Sequence, residues 1–345
     1  MYTRNSSPAI RLHRFVGSKI SRQMIEVIYK HDKPEPSTLV SCAKNLGRAS
    51  DSRPVITMKS HVSPVFFNNI HIKFATNHAK SVAAQEPFKR ILASQISELP
   101  IDSDRFGTFS GELDRAGSML DALRSKVGLA RGLTNERFIL ASEGSFSTAS
   151  GFGLVAQNIE LLMLSDLATG AEIIEQYITY ETNYTTEVIK DLNALDRFLA
   201  RISFGSHALV LYPDGLSPKQ YVSKGIVDLA QARKIFTEYS ALSPTASVMA
   251  MSDMRAHLNP TRMKAIKECC ELMAKRLANK CPSCTSGGFG IVATIPGLPC
   301  EDCGAPTSLA LSEKHNCPFC AFIKEYPRQD GKQTADSSAC QWCNP

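Results

Sequence analysis

Eight of the eleven cysteines fall in the last 65 residues, all in C-x-x-C pairs: Cys281/Cys284, Cys300/Cys303, Cys317/Cys320 and Cys340/Cys343. Two thiolates two residues apart can grip one metal from a tight turn, and two such turns complete a tetrahedral shell. The pairs therefore predict about two structural Zn²⁺ sites with no coordination position left open for catalysis. A tandem pairing joins the first pair to the second and the third to the fourth. An interleaved pairing joins the first to the third and the second to the fourth. Tandem is favoured, because GFGIVATIPGLPCEDC reads as the strand and turn of a zinc ribbon. Such a module often meets nucleic acid or protein, although this one lacks a dense Lys/Arg cluster. His315 and Trp342 read as exposed additions to it.

Five polar stretches elsewhere mix carboxylates, cations and amides. They are Thr76-Asn77-His78-Ala79-Lys80, Asp104 to Glu112, Ser142 to Ser145, Glu181-Thr182-Asn183, and Asp253 to Arg262. Most adjoin a predicted strand, where open α/β sheets carry their ligand-binding loops. Lys80, at a helix start with Thr76 and Asn77, would bind phosphate, since free backbone N–H groups there favour anions. Arg105, Arg255 and Arg262 would neutralise further charge. Glu143, with Asp104 or Glu112, would hold Mg²⁺, Asp253 is a further catalytic candidate, and His257 or a carboxylate would act as base. The plainer alternative makes Thr76 and Asn77 helix caps, Lys80 a solvated charge, and Arg255, His257 and Arg262 braces for the last helix.

These groups need a framework. Alternation predicts strands at Ile70–Ala75, Phe138–Ser142 (broken at Glu143-Gly144-Ser145), Ile159–Leu164, Glu172–Tyr180, His207–Tyr212 and Ser247–Met251. Helices are expected up to Leu92, from Ser118 (an N-cap with Asp121 three residues on), over Asp191–Arg201 and Ala230–Tyr239, and from Asn259. In the last of these, Met263, Ile266, Cys270, Met273 and Leu277 share one face, which makes Cys270 a core residue. The expected fold is α/β, with a mixed-sheet body over residues 71–279 and a zinc-ribbon-like module over 280–345.

The net charge of +6 is local. Residues 1–70 hold eleven Lys/Arg against four Asp/Glu, and the remainder balances to −1, so a general polyanion-binding surface is not indicated. Residues 1–70 read as a poorly ordered basic extension resembling an organellar presequence. No apolar run is long enough to cross a membrane. Paired cysteines without a secretory signal suit a reducing, cytoplasmic setting, with organellar import through residues 1–30 as the alternative.

From about residue 71 onward, DSDRFGTFSGELDR, ASEGSF, SHALVLYP, SDMRAHLNPTRM and the CPSC…CEDCG…CPFC…CNP tail resemble an uncharacterised, mainly bacterial family with a domain of unknown function. Residues 75–144 are also similar in layout to the inosine/xanthosine triphosphate pyrophosphatase superfamily. Thr76, Asn77 and Lys80 match its TNxxK motif. Ser118, Ala122 and Lys126 match its S-x-x-x-A-x-x-x-K helix, and Glu143-Gly144 the acidic strand end. This resemblance implies a Mg²⁺-dependent hydrolase of a nucleotide or other phosphorylated small molecule. The competing expectation is a non-catalytic zinc-ribbon protein whose body binds a ligand, protein or nucleic acid.

Overall fold

The computed structural model describes residues 63–102, 117–148 and 155–344. The body is mixed α/β, in two sheets. The first has strand order β2-β1-β3-β4-β5, with β1 His71–Ala75, β2 Gln95–Leu99, β3 Phe138–Thr148, β4 Ala156–Asp166 and β5 Glu172–Thr179. β1 runs parallel to β2 and β3, and β3, β4 and β5 form an antiparallel meander. Helix α1 (Ser81–Leu92) and the long α5 (Pro260–Ala278) cover one face. Phe74, Phe88, Leu140, Leu162, Ile266 and Met273 pack together there. Helix α2 (Met119–Arg131) covers the other face, with Leu120, Leu123 and Val127 on Ile139, Leu161 and Met163.

The second sheet is wholly antiparallel, in order β6-β9-β7-β8, built from Thr186–Ile189, Leu209–Pro213, Ser223–Ile226 and Val248–Ser252. Helices α3 (Leu192–Arg201) and α4 (Leu229–Leu242) pack on it through Leu195, Phe198, Ala232 and Phe236. A third antiparallel sheet, β10 (Gly290–Pro296), β11 (Ala310–Asn316) and β12 (Ile323–Pro327), lies within the cysteine module. Among the described residues no helix is long and apolar enough to cross a membrane.

Several local expectations change. β3 does not break at Glu143-Gly144-Ser145; it stays paired with β4 as far as Thr148↔Ala156. Tertiary pairing overrides the turn propensity of a single glycine. The short strands β2, β6 and β8 have too little alternation to stand out in the sequence. Neither Thr76 nor Asn77 caps α1: the N-cap position is Lys80 itself, without a side-chain cap. The reading of residues 1–70 as a separate extension fails at its C-terminal end. Val65 and Phe67 are buried in the core, and the Val65 backbone bonds to Ser286 and Gly287 of the cysteine module. The rest of that segment, residues 1–62, lies outside the described residues.

Candidate functional site

β1 stops at Ala75, opposite Ala141, whereas β3 continues well beyond it. Among the described residues no strand continues beside the far half of β3 on the β1 side, and the polar residues collect at this step. After β1 the chain turns through Thr76–Ala79; Thr76 Oγ1 accepts the His78 N–H at 3.3 Å, and Ala79 has φ of 52°. That turn delivers Lys80 beneath the sheet end. Its ammonium donates to Ser142 Oγ at 3.0 Å, and the side chain is only 5 % exposed. From the opposite face, Lys126 on α2 donates to the Ser142 carbonyl at 2.8 Å and pairs with Glu143. Side chains alternate along a strand, so Ser142 and Glu143 point to opposite faces and meet one lysine each.

Helix α5 supplies the third cation. Asn259 caps it by accepting from Arg262 N at 2.9 Å, with Pro260 at the first helical position. Arg262 Nε donates to Glu160 Oε1 at 2.8 Å, Nη1 donates to the Met254 carbonyl, and the guanidinium lies 5.3 Å from the Phe146 ring centre. Gly144, opposite Glu160, leaves room for this pair. A Cβ there would collide with Arg262 Nη2 and lie 2.9 Å from Glu160 Oε1. Next to it, Arg255 pairs with Asp253 at 2.6 Å, and the Gly225 N–H donates to the same carboxylate at 3.0 Å. The His78 and His257 rings sit 5.1 Å apart, joining the loop after β1 to the short helical turn before α5.

Lys126–Glu143, Arg262–Glu160 and Arg255–Asp253 are thus ion pairs, whereas Lys80 has no carboxylate in contact among the described residues. Among the described residues the cluster sets four cations, Lys80, Lys126, Arg255 and Arg262, against three carboxylates, Glu143, Glu160 and Asp253. Burial, followed by the nearby charges of Arg262 and Lys126, brings the Lys80 ammonium down to about 7. Burial and then Lys80, His257, Arg262 and Arg255 bring His78 down to about 3, so it is neutral at physiological pH. Burial alone would raise the Asp253 carboxyl, but hydrogen bonds from Arg255 and Gly225 hold it below its ordinary value.

Of the residues singled out in the sequence, Lys80, Glu143, Asp253, Arg255, His257 and Arg262 come together here. Thr76 is buried in the turn and Asn77 is exposed. Asp104, Arg105 and Glu112 lie outside the described residues. Lys80 is not a solvated helix charge. Arg262 is 2 % exposed and bonded to Glu160 and Met254, so it ties α5 to β4. Sequence reasoning gave no role to Ser142, Glu160 or His78. Glu160 had a usable signal: it is the only acid in the apolar run from Ile159 to Leu164, where a charge is rarely buried unpaired.

Of the expected Mg²⁺ ligands, Asp104 and Glu112 lie outside the described residues, and Glu143 holds Lys126, so the described residues give the Mg²⁺ expectation no support. Glu143, Glu160 and Asp253 each hold a cationic side chain. Among the described residues, the groups of three or more metal-ligating side chains are the two cysteine sets alone.

Those sets correct the tandem expectation. Cys281, Cys284, Cys317 and Cys320 form one, and Cys300, Cys303, Cys340 and Cys343 the other, so the pairing is interleaved. The strands explain why. β10 carries the chain from the first knuckle to the second, β11 back to the third, and β12 out again to the fourth. Antiparallel strands thereby place knuckles one and three at one end and two and four at the other. Sulfur separations are 3.7 Å for Cys281–Cys320, 3.6 Å for Cys284–Cys317, 3.9 Å for Cys300–Cys343 and 3.6 Å for Cys303–Cys340. Four bonds of ~2.3 Å in a tetrahedron set sulfurs about 3.8 Å apart, so both sets could hold a zinc ion. His315 is buried among Phe289 and Tyr326, contrary to its expected exposure, whereas Trp342 is 79 % exposed. Cys270 is a core residue, and burial pushes its thiol up.

A family model described as "Domain of unknown function (DUF6671)" matches residues 126–345, well over half of the chain. The chain belongs to this family. The match starts at Lys126, later than residue 71, so the family domain takes in Ser142, Glu143, Glu160, Arg262 and all eight knuckle cysteines, and leaves out β1 and Lys80. No curated protein matches the chain.

Proposed function

We propose that the body binds the phosphate groups of a phosphorylated small molecule at the step between β1 and β3. The observation that carries this reading is Lys80: a buried amine beyond the end of a strand, near Arg262, Lys126, Glu160 and Glu143, with no carboxylate in direct contact among the described residues. A phosphate would supply the missing negative charge and accept the donors that Ser142 Oγ leaves over. His257 lies within the same cluster, with its ring 5.1 Å from that of His78.

Hydrolysis of that ligand is the second half of the proposal. It is supported by the similarity of Thr76-Asn77-Lys80, Lys126 and Glu143-Gly144 to the pyrophosphatase layout. A magnesium-assisted version that used Glu143 would require it to leave Lys126, and the base in this reading is His257 or a carboxylate. For the cysteine sets, four thiolates at tetrahedral spacing support two structural Zn²⁺ ions.

The test is calorimetric titration of the full chain with tripolyphosphate and with a panel of nucleoside triphosphates, alongside assays of pyrophosphate release with and without Mg²⁺. Binding that Lys80→Met abolishes supports the phosphate site. Turnover lost in His257→Gln supports the hydrolase. A failure of every phosphorylated compound to bind would sink both.

A further inference from the structure

A second group of polar side chains sits at the start of β1, at the opposite end of that strand from Lys80. His71, the first residue of β1, is engaged through both ring nitrogens. Its Nε2 lies 2.8 Å from Ser97 Oγ on β2, and its Nδ1 lies 2.7 Å from Glu136 Oε1, just ahead of β3. The sheet order β2-β1-β3 sets this sequence of groups, with the imidazole on the middle strand, the hydroxyl on one side and the carboxylate on the other. The register places His71 opposite Gln95 and Lys73 opposite Ser97, so His71, Lys73 and Ser97 share one face. Pairing of Ile72 with Phe138 brings Glu136 alongside the start of β1, and Thr134 Oγ1 accepts the Glu136 N–H at 3.1 Å, which fixes the turn that carries it.

The protons in this chain of contacts have one consistent arrangement. An ionised carboxylate only accepts, so Nδ1 carries the imidazole proton toward Glu136. The neutral ring then has its lone pair on Nε2, and the Ser97 hydroxyl donates to it. These are the contacts of a serine nucleophile, its general base and the carboxylate that orients the base, with each nitrogen on the partner the chemistry requires. The group is open to solvent: the His71 and Glu136 side chains are 34 % and 37 % exposed, and Ser97 is half-buried. A substrate can therefore reach it, and water competes for the same hydrogen bonds, which keeps their contribution to stability small.

We propose that Ser97, His71 and Glu136 form an acyl-transfer site that hydrolyses small carboxylic esters, an activity separate from the phosphate-binding reading. Ser97 Oγ attacks the ester carbonyl carbon and passes its proton to His71 Nε2. The bond to the leaving oxygen then breaks, and that oxygen takes the proton from Nε2 and departs as the alcohol. Water attacks the acyl-serine carbonyl, its proton returns through Nε2 to Ser97 Oγ, and the carboxylic acid leaves. Lys73, beside Ser97 on the same face, supplies positive charge for the carbonyl oxygen as it turns negative. Ser97 and His71 are the catalytic residues; Glu136 acts through His71 and is a positioning residue.

The experiment treats the full chain with a fluorophosphonate, which captures activated serines, and locates the label by mass spectrometry. Turnover of p-nitrophenyl acetate is followed alongside. The natural chain is expected to take up one label, on Ser97. Ser97→Ala should remove the label and lower kcat about 100-fold or more, and His71→Gln should slow labelling and turnover to a similar degree. Glu136→Gln should lower kcat roughly tenfold or more with KM held within about twofold, and Glu136→Asp should recover part of the loss, a pattern that a merely structural role would not give. Absence of label from Ser97 in the natural chain would overturn the site, and this result involves no substitution that disturbs the fold. So would labelling of Ser97 at an unchanged rate in His71→Gln. Tripolyphosphate binding should be the same in Ser97→Ala as in the natural chain, so either reading can fail without the other.

Discussion

The cysteine module and the cation cluster both hold polar atoms in a fixed arrangement, and they do so by opposite means. In the module, eight identical ligands come from four identical turns, and three short strands set their pairing. At the β1–β3 step, the groups differ in kind and come from β1's exit turn, α2, β3, β4, the loop after β9 and the start of α5. The first arrangement is set by one residue type at a fixed spacing. The second depends on the backbone around it, because a buried ion pair is stable only when its geometry is kept. The module also differs between its ends. The Cys281 end is joined to the body through Ser286, Gly287 and Arg276, whereas the hydrogen bonds described around Cys300 and Cys340 stay within the module.

Breaking the module should give the largest effect. Cys281→Ser is expected to remove one zinc equivalent and destabilise the body as well, by more than about 4 kcal/mol, because its end of the module packs into the core. Cys303→Ser should remove the other equivalent and lower body stability less. Metal analysis with thermal unfolding separates the two; equal losses would show that the ends are equally coupled. At the cation cluster, Gly144→Ala should cost about 3–5 kcal/mol by forcing Arg262 from Glu160. Denaturant unfolding reads this directly, and a loss below about 1 kcal/mol would show that the pair can give way.

A smaller effect should appear in pH. Above about 7 the free Lys80 amine is neutral, and a bound anion restores its proton. Tripolyphosphate binding should therefore take up a proton, and affinity should fall by up to ~10-fold per pH unit above that point and flatten below it. Lys80→Met should remove this component. Without ligand, the same group makes stability rise with pH between about 7 and its ordinary value of 10.5, because the unfolded chain holds a proton there that the folded chain lacks. The smallest change is expected from Gly128→Ala, two residues from Lys126. Nothing lies within 4 Å of the added methyl, and helix propensity should raise stability by about 0.5–1 kcal/mol.

The two regions also differed in how readily they could be read from the sequence. The cysteine spacing announced metal ligation, but not which knuckles share an ion, because pairing depends on how β10, β11 and β12 fold back on one another. In the body, the α/β class followed from alternation and the helix starts from Ser118, Asp191 and Asn259, each of which accepts a capping hydrogen bond. Lys80, Glu143, Asp253 and Arg255 were legible as polar residues near strand ends. Their mutual engagement was not, since it depends on β3 outrunning β1 and on Glu160, a partner 102 residues from Arg262.

The interleaved cysteines also impose an order of assembly. As the chain is synthesised, Cys281 and Cys284 appear first but cannot complete a shell until Cys320 is made. By then Cys300 and Cys303 already lie inside the loop that the first metal closes, waiting for Cys340 and Cys343. Along the chain, the set joined to the body is the first to have all four of its ligands, and the outer set is complete only with Cys343.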